Sequence, residues 1–178
     1  MDVAAPSQSA DRSKSVEQLE EVRWGVPALS SYVGETVHAL RRKPLRDLTD
    51  EELRIGLQQQ VCAAVLVPLA VERLEHDPLA EARLYRGDLL QSLLEVPASY
   101  WQRHPDMRRR AAELAASAFA WAAASADDDW RDIVLPALQE AYDRFTGKLP
   151  SRAWLRFDEG QAPPPGSAPA LDRAHSPP

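Results

Sequence analysis

The sequence predicts an all-α protein: a compact multi-helix domain followed by a disordered, proline-rich C-terminal tail. Three observations predict it. Apolar residues recur at three- and four-residue spacing along most of the chain. Helix start and stop signals punctuate those stripes. No stretch alternates convincingly with period two, and no fixed-period repeat is present.

The elements follow in order. Residues 1–14 form a loose arm, 15–157 the helical domain and 158–178 the tail, which holds six prolines from Pro163 to Pro178 and one large aliphatic, Leu171. Such a tail buries too little apolar surface to offset its ordering entropy. Ser15 starts a short helix, with Gln18 completing a capping box. Ser31 to Arg42 places Val33, Val37 and Leu40 on one face, and Pro44 stops it. Thr49 caps the amide of Glu52, Glu52 reaches back, and Leu48 and Leu53 make the matching hydrophobic staple. Val65 to Leu74 is apolar on most sides, which predicts a buried central helix that Pro68 opens or kinks. A strand over Val61 to Val67 is the alternative, given its β-branched residues.

Asp77-Pro78 ends that segment. Asp88 then caps a short helix carrying Leu89, Leu90, Leu93 and Leu94, and Pro97 ends it. His104-Pro105 opens an alanine-rich helix to about Ser125, whose Ala111, Ala115, Ala118 and Ala122 let a neighbour approach closely. The last helix shows Trp130, Ile133, Val134, Ala137, Leu138, Ala141, Tyr142 and Phe145 on one face, with a kink at Pro136 and a stop at Gly147.

Composition narrows the function. The chain is 44% hydrophobic and 27% charged, with 27 acids against 21 bases and a net charge of −6. Its mean hydropathy is −0.41 and its pI about 5.2. The basic footprint that phosphate binding needs is missing, so no nucleic-acid partner is expected. An acidic surface suits a basic protein partner or plain solubility. The N-terminus carries no secretory signal, and the longest apolar run, Val61 to Ala70, falls short of the roughly 20 residues of a membrane span. A cytoplasmic protein with no membrane contact is expected.

No chemistry is assembled in the sequence. Glycine-rich phosphate loops and a Gly-x-Ser-x-Gly elbow are absent. His38, His76, His104 and His175 are scattered; Glu72 with His76-Asp77 is the nearest thing to a ligand group, and His76 is better read as favouring a helix C-terminus. Cys62, between apolar neighbours, reads as a small buried hydrophobe rather than a nucleophile. Glu81 and Asp88 flank Tyr85-Arg86-Gly87, but Asp88 is better read as a cap than as half of an acid/base pair. Arg41-Arg42-Lys43 and Arg108-Arg109-Arg110 read as solvated helix faces. The residues thus assign no catalytic, cofactor-binding or metal-binding role, and no enzyme. Trp24 and Trp101 stand near loops rather than inside a stripe, where tryptophans often carry binding energy.

The order of several short motifs carries a resemblance. Trp24-Gly25-Val26-Pro27, Leu40-Arg41-Arg42-Lys43-Pro44-Leu45 and Leu48-Thr49-Asp50-Glu51-Glu52-Leu53-Arg54 come first. Leu66-Val67-Pro68-Leu69-Ala70, Asp77-Pro78-Leu79-Ala80-Glu81, Tyr85-Arg86-Gly87-Asp88-Leu89-Leu90 and Tyr100-Trp101 follow. From Ser15 to Pro105 this resembles a family of immunity proteins of contact-dependent growth inhibition systems. The chain departs from the family where Ile55-Gly56-Leu57 lacks a second glycine turn and where Ala82-Arg83-Leu84 replaces Gly-Asp before Tyr85.

The resemblance implies a bacterial immunity protein, a toxin inhibitor that binds a cognate toxin domain and blocks it without catalysis or cofactor. Many such toxins are nucleases with basic clefts, which an acidic inhibitor would complement. The expected contact surface lies around the exposed parts of Trp24, Tyr85, Asp88 and Trp101, aromatic anchors beside an acid. The structural alternative for each is a cap for Asp88, a turn residue for Tyr85 and satellite core for the tryptophans. A helical adaptor or regulatory protein-binding module is the alternative function.

Overall fold

Ser15 and Thr49 begin their helices through the side-chain chemistry that the sequence predicts. The computed structural model describes residues 10–25, 31–125, 127, 128 and 130–150. The predicted tail, 158–178, and residues 1–9 of the arm lie outside the described residues. Ser15 Oγ accepts the Gln18 amide and Gln18 returns a bond to the Ser15 amide, opening α1 (Val16–Glu20). Ser31 Oγ accepts the Gly34 amide and opens α2 (Tyr32–Arg42). A 3-10 turn over Leu45–Asp47 leads to α3 (Asp50–Gln58), whose capping box pairs Thr49 with Glu52 in both directions. The staple residues Leu48 and Leu53 are both buried.

The run at 61–67 is not a strand. Cys62 sits in the left-handed region at φ 38° and starts α4 (Ala63–His76), with Pro68 inside it. The apolar run has another cause: α4 is the central helix, packed against α3, α5 and α7. Leu66, Val67, Ala70, Val71 and Leu74 are all fully buried, so the helix needs little polar face. Among the described residues no strand forms; only two isolated bridges occur, Ser15 with Pro44 and Glu81 with Arg86.

The second half continues with α5 (Asp88–Leu94), α6 (Ala98–Arg103) and α7 (Pro105–Ala124). A π turn over Trp130–Val134 then runs into α8 (Leu135–Thr146), which stops at Gly147 with φ +85°. The alanines of α7 are buried as predicted, and α7 packs against α4, α5, α6 and α8. Two expectations fail here. Asp88 does not cap α5: Gly87, at φ +95°, is the cap residue and Asp88 is the first helical residue. Ile133 is not on the buried face but 71% exposed. The wider π turn shifts the register, so Trp130 and Val134 turn inward and Ile133 turns out. Pro136, the second residue of α8, offers no N–H to the Asp132 carbonyl, which fits an irregular turn just before it.

The basic run at the end of α2 is a solvated face only at Arg42, which is exposed. Arg41 is buried, pairs with Glu20 at 2.5 Å and lies 4.0 Å from the centre of the Trp24 ring. Arg42 donates to the Trp24 carbonyl, and Lys43 pairs with Glu52 at 2.9 Å. The described part of the arm also touches the body: the carbonyls of Arg12 and Lys14 accept the amides of Arg46 and Leu45.

Candidate partner-binding face

Asp88 is where the sequence places a cap and where the structure places a staple. Its carboxylate accepts three successive backbone amides of the preceding loop: Ala82 at 2.7 Å, Arg83 at 3.1 Å and Leu84 at 2.8 Å. Arg54 of α3, also buried, comes within 3.8 Å of this carboxylate and donates to Gln58 at 3.0 Å. A buried carboxylate needs such partners, because an unpaired charge away from water is costly. The consequence is local. The loop from Leu79 to Gly87 is tied to α5 from beneath, and its outer residues have one way to face. Gly87 is required in it: a Cβ there would meet Leu79 Cδ2 at 3.2 Å, and its positive φ suits glycine alone.

Tyr85 is half-buried in this loop and donates to Gln91 of α5 at 2.5 Å. Burial pushes its phenol above the ordinary tyrosine value, with the charges of Asp88 and Glu95 adding to the effect. It is a donor anchored to the helix, with its proton held. Asp88 and Tyr85 therefore belong to one loop–helix junction.

Two clusters flank the loop. On one side Arg83 reaches the first residue of α2 and the start of α3. Arg83 donates to Glu51 at 2.7 Å and to the Tyr32 hydroxyl at 2.5 Å, and Tyr32 donates to Glu51 at 2.5 Å. The guanidinium lies 4.9 Å from the Tyr32 ring centre. The hydrogen bond from Tyr32 holds the Glu51 carboxyl below its usual range, and Arg83 adds to this. The same bond raises the Tyr32 phenol. On the other side Arg86 covers the Trp121 ring at 5.1 Å, and its carbonyl accepts Trp130 Nε1 at 2.9 Å. Trp121 and Trp130 meet edge to face at 5.2 Å.

The two tryptophans named from sequence lie elsewhere. Trp24 is half-buried at the α1–α2 junction, with His38 against its edge at 5.5 Å. It borders an open cleft of about 690 Å³ together with Glu17, Glu21, Arg23 and Arg42. Trp101 is buried on α6, donates to the Val96 carbonyl at 2.9 Å and packs edge-on against Phe145. The structure brings Tyr85 and Asp88 together and leaves Trp24 and Trp101 apart from them.

Sequence reasoning missed Tyr32, Glu51, Arg83, Leu84, Trp121 and Ile133. Leu84 carried a signal: it is the one large aliphatic between Ala80 and Gly87. The others depend on contacts between distant segments or on the π turn. Among the described residues no group of three or more His, Cys, Asp or Glu converges as a metal site, and no helix is long and apolar enough to cross a membrane.

A family model described as CDI immunity proteins matches residues 18–111, just over half of the chain. The match spans α2 to α6 and the whole of the Asp88-stapled loop. No curated protein and no solved structure matches the chain.

Proposed function

Because the chain belongs to the CDI immunity proteins, a family whose role is to neutralise a toxin, we propose that it does so by stoichiometric, non-catalytic binding of one cognate toxin domain in the cytoplasm. The family membership carries this reading. Its supports are physical. The net charge of −6 suits a basic partner and opposes binding to nucleic acid. Three buried charged side chains are spent on structure: Asp88 on three amides, Arg41 on Glu20 and Trp24, Arg54 on Asp88 and Gln58. Cys62, the one thiol, is pushed up to about 11 by burial and by neighbouring Glu20, the opposite of an activated nucleophile.

Of the residues singled out from sequence, Trp24 and Tyr85 reach the surface and can touch a partner. Asp88 and Trp101 act from beneath, holding the loop and α6 in place. No cofactor enters this mechanism: inhibition follows from covering the toxin's working surface.

The test is co-expression with the toxin domain encoded in the adjoining reading frame. Cells carrying both should survive and a complex should be recovered by pull-down. Death at the rate of toxin alone, with no complex, overturns the reading and places a helical adaptor first.

A further inference from the structure

The large hydrophobic side chains exposed on this protein are not evenly scattered. Tyr32 is 54% exposed, Leu84 60%, Trp121 36% and Ile133 71%; Val22, Val33 and Leu149 complete the set among the described residues. Each of the first four lies in the loop of residues 79–87 or on a segment that contacts it. Leu84 is on the Asp88-stapled loop, Tyr32 is tied to that loop by Arg83, and Trp121 is covered by Arg86 of the loop. Ile133 rises from the π turn whose Trp130 donates to the loop's Arg86 carbonyl. Single exposed hydrophobics are ordinary, but several on one face mark a docking surface.

The charges around that face are acidic in balance. Its arginines are folded onto acids and rings: Arg83 onto Glu51 and Tyr32, Arg86 onto Asp77 and Trp121, Arg131 onto Asp128. Glu81, Asp127 and Asp132 stay exposed, and Glu81 and Asp132 have no ion-pair partner among the described residues. An apolar centre with a negative rim fits a protein surface that offers an apolar socket ringed by lysine or arginine. The loop is also fixed in advance by its three bonds to Asp88, so docking orders little further chain.

We propose that the face built from Leu84, Tyr32, Trp121 and Ile133 is the surface that docks the toxin, seating Leu84 and Ile133 against a basic-rimmed apolar patch. The proposal rests on the immunity reading above and deepens it. The face crosses the end of the family-matched segment: Tyr32 and Leu84 lie inside residues 18–111, Trp121 and Ile133 beyond them.

The test uses the full chain and the purified toxin domain from the adjoining reading frame, with the dissociation constant read by calorimetry. Leu84 and Ile133 are well exposed, so Leu84→Arg and Ile133→Arg leave the core intact, which circular dichroism and melting temperature check. Each should weaken binding by about 30-fold or more, the scale of an interface hot spot. Val22→Arg, a charge placed on an exposed hydrophobic of another part of the surface, should change it less than about threefold. Wild-type binding should weaken with added salt. The face is overturned if both variants bind within threefold of wild type while wild type binds tightly. It is equally overturned if they only convert a dimer of this chain to monomer and leave toxin binding unchanged. Absence of wild-type binding instead overturns the immunity reading and the face with it.

Discussion

Replacing Asp88 with alanine removes the acceptor for three backbone amides and the counter-charge of a buried arginine in one step. The two losses differ in weight. Ala82, Arg83 and Leu84 lie near the surface, and water can reach their freed amides, so each lost bond costs less than the roughly 1.5–3 kcal/mol of a bond to a charged group that stays unreplaced. Arg54 has no such relief. It is 7% exposed, its Nε has no hydrogen bond, and without Asp88 its charge is stranded. Breaking a buried pair by deleting one member typically costs about 3–5 kcal/mol. The terms overlap, so the expected loss for Asp88→Ala is about 3–5 kcal/mol in all, a large fraction of the roughly 5–15 kcal/mol that holds an ordinary domain folded. The assay is equilibrium urea unfolding, with an unchanged slope showing that the comparison is like for like. Arg54→Met in the Asp88→Ala background should recover a large part of the loss, because it removes the stranded charge. A loss below about 1 kcal/mol, or no recovery in the double variant, refutes the staple as argued.

Further outcomes follow from single contacts. Gly56→Ala places a methyl 2.5 Å from Leu66 Cδ1 and 3.5 Å from Leu40 Cδ2 in the core. Overpacking of about 1–3 kcal/mol outweighs the roughly 1 kcal/mol that alanine gains in a helix, so urea unfolding should show net destabilisation; a stabilised variant contradicts it. Glu52 is raised by burial, but the bonds from Thr49 and Lys43 together hold it below 4.5. Its folded value is the depressed one, so its contribution is complete above about 4.5 and lost as pH falls below it. The gap in melting temperature between wild type and Glu52→Gln should therefore close as pH falls from about 6 to about 3, and a constant gap contradicts the argument. With its thiol raised to about 11, Cys62 should react slowly with a disulfide reagent at pH near 8 in the native state and quickly once unfolded. Prompt native labelling would show the site to be open and polarised.

The parts of this fold that were readable in the sequence are local. A capping box needs only four residues, so Ser15 with Gln18 and Thr49 with Glu52 show themselves, as does Gly147 at its stop. The alanine stripe of α7 is legible because one helix carries all of it. The run from Val61 to Val67 was ambiguous for a physical reason: the first half of a helix buried by three neighbours carries no polar side chain, and loses the periodicity that separates it from a strand. At six residues, α6 is too short for any periodicity to show. The site was less legible. Asp88 has the composition and position of a cap, and nothing local reveals that its acceptors point backwards to the amides of residues 82–84. The Tyr32–Glu51–Arg83 cluster joins three segments far apart in sequence. Ile133 matched the helical stripe and was turned outward by one irregular turn.

The central claim is that protection comes from one-to-one occupation of a toxin, with no turnover. Titration of the toxin's activity with increasing amounts of this protein tests it most directly. The toxin is held far above the dissociation constant, and residual activity is read at each ratio. Activity should fall linearly and end at one equivalent, and release of the complex in denaturant should return chemically unaltered toxin. Complete loss of activity at a small fraction of an equivalent, with modified or cleaved toxin in the mixture, would show an enzyme at work. Full activity at several equivalents would show that this protein does not neutralise that toxin.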